Sequence, residues 1–214
     1  MNLDPLKEAA RDAPNEWAVQ TRELRLTFSE LDAEASRYAA ELERLKVGFG
    51  DRIAIHHPSD WRIVALLFAA WRIGASLCPL NLRLPPSGVD ACLKRISPSL
   101  YLTSLSLPLN TSLTPQPHSG LPPSLLLFTS GSTAEPKIAI LSRSNLLANA
   151  EGALPALDLR PNDRWLLSLP LFHVGGIGIA LRCILARAAI LWEIAGATHL
   201  SYVPTQLYRA WPVS

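Results

Sequence analysis

Two short stretches hold the side chains best suited to chemistry. The first, LLLFTSGSTAEPK, runs from Leu125 to Lys137. Its apolar run (Leu125, Leu126, Leu127, Phe128) stops at five small or hydroxylated residues, Thr129, Ser130, Gly131, Ser132 and Thr133. Pro136 and Lys137 close the stretch, and a new apolar run begins at once from Ile138 to Leu141. Small side chains let backbone N–H groups approach an anion, and the hydroxyls and the ammonium add donors, so the layout suits a phosphate cradle. The same residues suit a β-hairpin with a long Ser/Thr/Gly turn, and composition leaves both readings open. The second stretch, PLFHVGGIG from Pro170 to Gly178, sets His173 after a strand-like run and before a glycine-rich helix start. Alone, His173 reads most simply as a structural histidine packed beside Phe172. Ligands of open α/β sheets bind outside the carboxyl ends of the strands. Both stretches follow apolar strands directly, so a sheet can turn them toward one crevice.

The elements that must position these groups alternate. Asp4 and Pro5 open a helix to about Asp12. Trp17 to Thr27 reads as two short strands in a hairpin. Ser29 is the expected N-cap of a helix whose Leu31, Ala35, Tyr38, Ala39 and Leu42 recur at helical spacing. A strand from Arg52 to His56 follows, then a helix capped by Asp60 and stopped at Gly74. A strand from Ala75 to Pro79, a helix opened at Pro85 or Ser87 and running through Ile96, and a strand from Leu100 to Thr103 complete the first half. Beyond the hydroxyl-rich loop, Ser142 or Ser144 caps a helix. Strands are expected at Trp165–Leu169, Ala188–Trp192 and Thr198–Val203, with a helix from Ile177 to Ala186 and a last turn opened by Pro204. This alternation predicts an α/β fold, doubly wound, with mostly parallel sheet layers flanked by helices. Leu105 to Pro123, rich in Pro, Ser and Thr, reads as a surface linker. It divides a first α/β portion (1–104) from a second (124–214) that carries the loop and the histidine.

Composition narrows the class. Of 214 residues, 49% are hydrophobic and 18% charged, and the net charge is +2. These values fit a core-forming globule and give no reason to invoke nucleic acid or a membrane surface. Cys78, Cys92 and Cys183 form neither a disulfide framework nor a metal signature, which suits a cytoplasmic protein. The opening MNLDPLKEAARDAP has no apolar core of a signal peptide. The most apolar run, Ile63 to Ala70, is too short to span a bilayer.

FTSGSTAEPK resembles the phosphate-binding signature of the adenylate-forming enzymes: acyl-CoA synthetases, luciferases and peptide-synthetase adenylation domains. Three more stretches agree in order: LTFSELDAEASRYAAEL (Leu26 to Leu42), WRIGASLCPLNLRLPP (Trp71 to Pro86) and WLLSLPLFHVGGIGI (Trp165 to Ile179). PLFHVGG together with THLSYVPTQLYR (Thr198 to Arg209) looks most like the o-succinylbenzoate–CoA ligase branch, acyl-CoA synthetases of menaquinone biosynthesis. The resemblance implies two steps. ATP and a carboxylate give an acyl-adenylate and pyrophosphate, and coenzyme A then displaces AMP to form a thioester. By that resemblance Thr129, Ser130, Gly131, Ser132, Thr133 and Lys137 would hold the β- and γ-phosphates, with Thr133 also the candidate toward bridging Mg2+. Lys137, a flexible point charge, would follow the departing pyrophosphate. His173 would orient the acyl carboxylate or line its pocket. Gly175 and Gly176 would leave room for the acyl group, or serve only as a helix-entry turn. Thr205 and Gln206 would border the acyl pocket, or act only as a helix cap and a surface glutamine.

Departures from the family pattern shape the expectation as much as the matches. Ala134 stands where the family loop usually has glycine; if that position needs φ > 0, alanine costs on the order of 1 kcal/mol. Ile138 replaces a frequent glycine and Arg143 a frequent histidine. Between Trp192 and Thr198 only EIAGA remains where relatives fit a helix. The sequence stops at Ser214, before the family's adenine, ribose and hinge motifs and its lysine-bearing C-terminal domain. The expectation is an N-terminal part with little activity alone, the alternatives being another acyl-CoA synthetase, half of a split enzyme whose C-terminal half is a separate chain, or a non-catalytic interaction module.

Overall fold

The computed structural model describes residues 4–109, 125–129, 137–204, 206 and 207. Its elements begin where local capping chemistry dictates. Asp4 caps α1 (Pro5–Asp12), accepting from the Lys7 N–H at 3.1 Å. A bulged antiparallel hairpin, β1 (Trp17–Gln20) with β2 (Arg25–Thr27), runs straight into α2 (Phe28–Arg44). The cap of α2 is Thr27, not Ser29. Thr27 is extended (φ −73°, ψ 169°), and its hydroxyl and the Glu30 carboxylate satisfy each other's backbone N–H in a capping box. The strand thus hands over two residues earlier than expected, and Ser29 falls inside the first turn. β3 (Arg52–Ile55) leads to α3 (Trp61–Ile73), capped by Asp60 and ended by Gly74 at φ 76°. β4 (Ser76–Pro79), α4 (Pro86–Ile96) and β5 (Leu100–Leu102) follow.

Beyond the proline-rich stretch come β6 (Leu125–Thr129), β7 (Lys137–Leu141) and α5 (Arg143–Leu157), the last capped by Ser142 in a capping box with Asn145. β8 (Arg164–Leu166), α6 (Val174–Ala186) and β9 (Ala189–Leu191) complete the elements. Helix α6 starts three residues before the expected Ile177 and takes Gly175 and Gly176 into its first turn. Thr198 to Val203 is not a strand: a single bridge joins Trp165 and His199. Gln206 and Leu207 then both donate to the Val203 carbonyl, closing a helical turn.

Two sheets result, ordered β2-β1-β9-β8 and β5-β3-β4-β6-β7. Parallel pairing dominates, with β1–β2 and β6–β7 the antiparallel exceptions. The main core joins α2, α3 and α6 to both sheets through Leu31, Leu42, Phe68, Trp71, Ile177 and Ile184. A smaller core beneath α4 holds Cys78, Val89, Cys92 and Leu126. The described start of the proline-rich stretch is anchored at two points, with Ser106 and Pro108 exposed between them. Leu105 and Leu109 are buried, the Tyr38 hydroxyl donates to the Leu105 carbonyl at 2.5 Å, and the Leu109 N–H donates to Glu41 at 2.8 Å. Arg72 ties the first three helices together. It donates to Asp4 at 2.8 Å, to the Ser36 hydroxyl at 2.9 Å, and to the Asp32 carboxylate and carbonyl. Among the described residues no helix is long and apolar enough to cross a membrane.

Candidate functional site

The hydroxyl-rich loop is carried on a hairpin. β6 and β7 pair in antiparallel register from Leu125↔Leu141 to Thr129↔Lys137, so Thr129 and Lys137 face each other where the loop leaves the sheet. Both are exposed. Ser130, Gly131, Ser132, Thr133 and Ala134 lie outside the described residues. An antiparallel pair suits a phosphate cradle and a plain turn alike. Its contribution is to fix the two ends, a hydroxyl and an ammonium, side by side.

A cleft of about 610 Å3 opens beside this hairpin. Its origin is a splay in the sheet. β4 stays registered with β3 through Ile55↔Pro79, but among the described residues its register with β6 is the single pair Leu77↔Leu125. Past that pair, Pro79 and Asn81 diverge from Leu127 and Thr129, and these four residues line the cleft. Gly88 and Cys92, four residues apart on α4, form another wall, and Phe172 and His173 border it as well. Burial pushes the Cys92 thiol up, and pushes that of neighbouring Cys78 up to about 12, so this wall is neutral at pH 7. Thr129 and His173, separated widely in sequence, thus border one cavity.

His173 is the N-cap residue of α6 (φ −114°, ψ 146°), and its side chain makes no capping bond. Its N–H donates to the Pro170 carbonyl at 3.0 Å, and its carbonyl accepts from Gly176 at 3.1 Å. The ring lies 4.5 Å from that of Phe172, yet the residue is exposed. The backbone is therefore committed to the turn, while the imidazole faces solvent and the cleft. The following glycines differ. A Cβ on Gly175 would meet the end of the Leu169 side chain at 2.7 Å, whereas one on Gly176 would meet the Pro170 and Leu169 carbonyl oxygens at 2.3 and 2.6 Å. Gly176 is buried against backbone, and neither glycine lines the cleft. Gln206 spends its amide on the chain itself, donating to the Ser168 carbonyl at 3.0 Å and accepting from the Val203 N–H at 3.0 Å. Thr205 lies outside the described residues.

Sequence reasoning passed over Asn81, Cys92 and Phe172 as cleft residues. The Pro-Leu-Asn segment was a usable signal, since it follows a β-strand directly. Cys92 reads as core from sequence, and it is core; the splay alone brings it to a cavity wall. Among the described residues no group of three or more His, Cys, Asp or Glu side chains could hold a metal ion. Among the described residues, then, the protein offers no carboxylate or imidazole cage for a resident Mg2+.

This arrangement, a mixed α/β layer with Thr129 and the N-cap residue His173 bordering one cleft, has the fold of the N-terminal domains of adenylate-forming enzymes. VinN, solved with 3-methylaspartate, shares it at a TM-score of 0.85 and 21% identity, over 97% of this chain and 67% of that one. An Escherichia coli MenE variant solved with bound OSB-AMS shares it at 0.82 and 27% identity, over 98% of this chain and 51% of that one. The model of the AMP-binding enzyme family matches residues 6–121 and 111–210, and the chain belongs to that family. The 2-succinylbenzoate–CoA ligase of Salmonella typhimurium is 32% identical over 198 residues, 84% of this chain and 43% of that protein. A feruloyl-CoA synthase of Amycolatopsis is 32% identical over 192 residues, 79% of this chain and 39% of that protein. The chain spans less than half the length of these two relatives.

Proposed function

We propose that the chain supplies the phosphate- and carboxylate-facing half of a cytoplasmic, AMP-forming acid–thiol ligase that adenylates a small carboxylate with ATP and passes the acyl group to coenzyme A. The observation that carries this reading is the shared cleft. Thr129, beside Lys137, and His173 border one apolar-walled cavity at the ends of β6 and the segment after β8. Joining two anions at the α-phosphate demands positioning and charge neutralisation, with little covalent chemistry from the protein. A lysine at the mouth of a hydroxyl loop suits the pyrophosphate, and an uncommitted imidazole suits the acyl carboxylate. The Mg2+ of the nucleotide would approach Thr133. o-Succinylbenzoate is the favoured acid, which would place the reaction in menaquinone biosynthesis. Ferulate is the second reading, because its ligase is equally similar over a comparable span.

The test is pyrophosphate release with ATP, Mg2+, coenzyme A and either acid, by the chain alone and co-expressed with the C-terminal half of a 2-succinylbenzoate–CoA ligase. Turnover of o-succinylbenzoate that needs both halves, and that falls at least a hundredfold in His173→Ala, is the expected result. No turnover of either acid in the complemented pair overturns the reading. Turnover by the chain alone would overturn its standing as half of a site.

A further inference from the structure

We infer that Ser59, in the loop between β3 and α3, is the positioning residue for His173. This rests on the reading of His173 as a ligand-facing group. The stretch from Leu167 to His173 belongs to no strand or helix: the Leu167 N–H still donates to the Leu191 carbonyl at 2.8 Å and Gln206 holds the Ser168 carbonyl, but from Leu169 onward the chain has left the sheet. Within it, His173 is tied to Pro170 by its own N–H, at 3.0 Å. That bond shapes the turn and leaves its placement on the fold open. At the histidine end of the segment the tie to the rest of the fold is Ser59. Its hydroxyl oxygen accepts from the Leu171 N–H at 3.1 Å, across 112 residues of sequence. Its carbonyl accepts from the Trp192 indole N–H at 3.3 Å, across 133 residues.

One serine thus joins the end of β9 to the turn that presents the histidine. The surroundings make the contact decisive. Leu171 is fully buried, so its N–H has no solvent to fall back on. Asp60, the next residue, caps α3 and is held by Arg62 at 2.7 and 3.0 Å, which keeps Ser59 at a fixed helix entry. On the other side, Gly176 packs directly on the Leu169 and Pro170 carbonyls. The turn is gripped from both sides, and at Leu171, the residue two before His173, the grip is the Ser59 hydroxyl. Removing the hydroxyl leaves a buried N–H unpaired and releases the turn toward the cleft.

The experiment uses isotope-labelled chain carrying Ser59→Ala, Ser59→Thr or Trp192→Phe. Two readouts are followed by NMR: amide exchange at Leu171 and His173 against Ile55 and Leu67, and the change in the His173 ring-proton shift on adding o-succinylbenzoate with MgATP. In Ser59→Ala, exchange at Leu171 and His173 should rise about tenfold while Ile55 and Leu67 stay within twofold. The ligand-induced shift of His173 should fall by at least half, and Ser59→Thr should restore both. Trp192→Phe, which keeps a ring and deletes the donor, should show the same pattern more weakly. Unchanged protection at Leu171 overturns the inference. Equal loss at all four amides also overturns it, since Ser59 would then serve the whole fold. If native His173 does not respond to the ligands, the functional reading fails, and the exchange arm still decides the role of Ser59.

Discussion

Gly176→Ala should separate a glycine that makes room for substrate from one that lets two backbones touch. The added Cβ would sit 2.3 Å from the Pro170 oxygen, 2.6 Å from the Leu169 oxygen and 2.7 Å from the Pro170 carbonyl carbon, where real Cβ contacts essentially never fall below 3.0 Å. Opening 2.3 Å to 3.0 Å requires a retreat of at least 0.7 Å. All three atoms belong to backbone carbonyls, so the start of α6 must move away from the turn, and His173 at its N-cap moves with it. Overpacking of this kind costs about 1–3 kcal/mol, against which alanine recovers up to about 1 kcal/mol of helix propensity. A net loss of about 1–2 kcal/mol is expected in urea denaturation. A displacement approaching an ångström at a catalytic group is worth on the order of a hundredfold in turnover for the complemented enzyme. Gly175→Ala is the control. Its Cβ meets only the Leu169 methyl, which can swing away, so its stability should stay within about 0.5 kcal/mol of native. Equal stability and activity for native and Gly176→Ala would refute the argument, as would comparable damage from Gly175→Ala.

Other consequences can be checked directly. Arg72→Ala removes the donor shared by Asp4, Asp32 and Ser36 and should destabilise by about 2–3 kcal/mol in urea, with α1 exchanging first. Gly152→Ala, in the interior of α5 with nothing within 4 Å of the new Cβ, should stabilise by about 0.5–1 kcal/mol. Burial pushes the Tyr38 phenol up from 10.0 and the Cys78 thiol up from 9.0, each to about 12. The folded chain therefore keeps protons that the unfolded chain releases first. Stability from these groups is complete below about pH 9 and is lost as pH rises toward 12. Urea midpoints at pH 8, 9.5 and 10.5 should fall steadily, and a flat series would contradict the burial argument. Thr27→Ala, which breaks the capping box with Glu30, should cost about 1 kcal/mol, and Ser29→Ala much less.

What could be read in the sequence was local. Asp4, Asp60 and Ser142 announce their helices because a short acceptor beside a free N–H is a pairwise matter within three residues. Thr27 escaped for the same reason in reverse. A serine two positions on offered an equally good cap, and only the pairing of β2 with β1 shows that the chain is still extended at Thr27. The strand expected at Thr198–Val203 had the right residues, yet a strand exists only when a neighbour takes its hydrogen bonds. There the chain offers β8 one bridge and then turns, held by Ser168 and Gln206.

The site was legible as residue types and illegible as a place. Thr129, Lys137 and His173 stand out in sequence because a hydroxyl and an imidazole follow apolar runs and an ammonium precedes one. Nothing in their spacing says that the β4–β6 register ends at Leu77↔Leu125, beyond which Pro79, Asn81, Leu127 and Thr129 line a cavity. Long-range contacts explain the remaining silence as well. Ser59 has no motif, and its neighbours in sequence mark only a helix cap. Its claim on His173 comes from two bonds spanning more than a hundred residues each. A reading confined to the motifs finds Thr129, Lys137 and His173 and misses the serine bonded to the turn that carries the histidine.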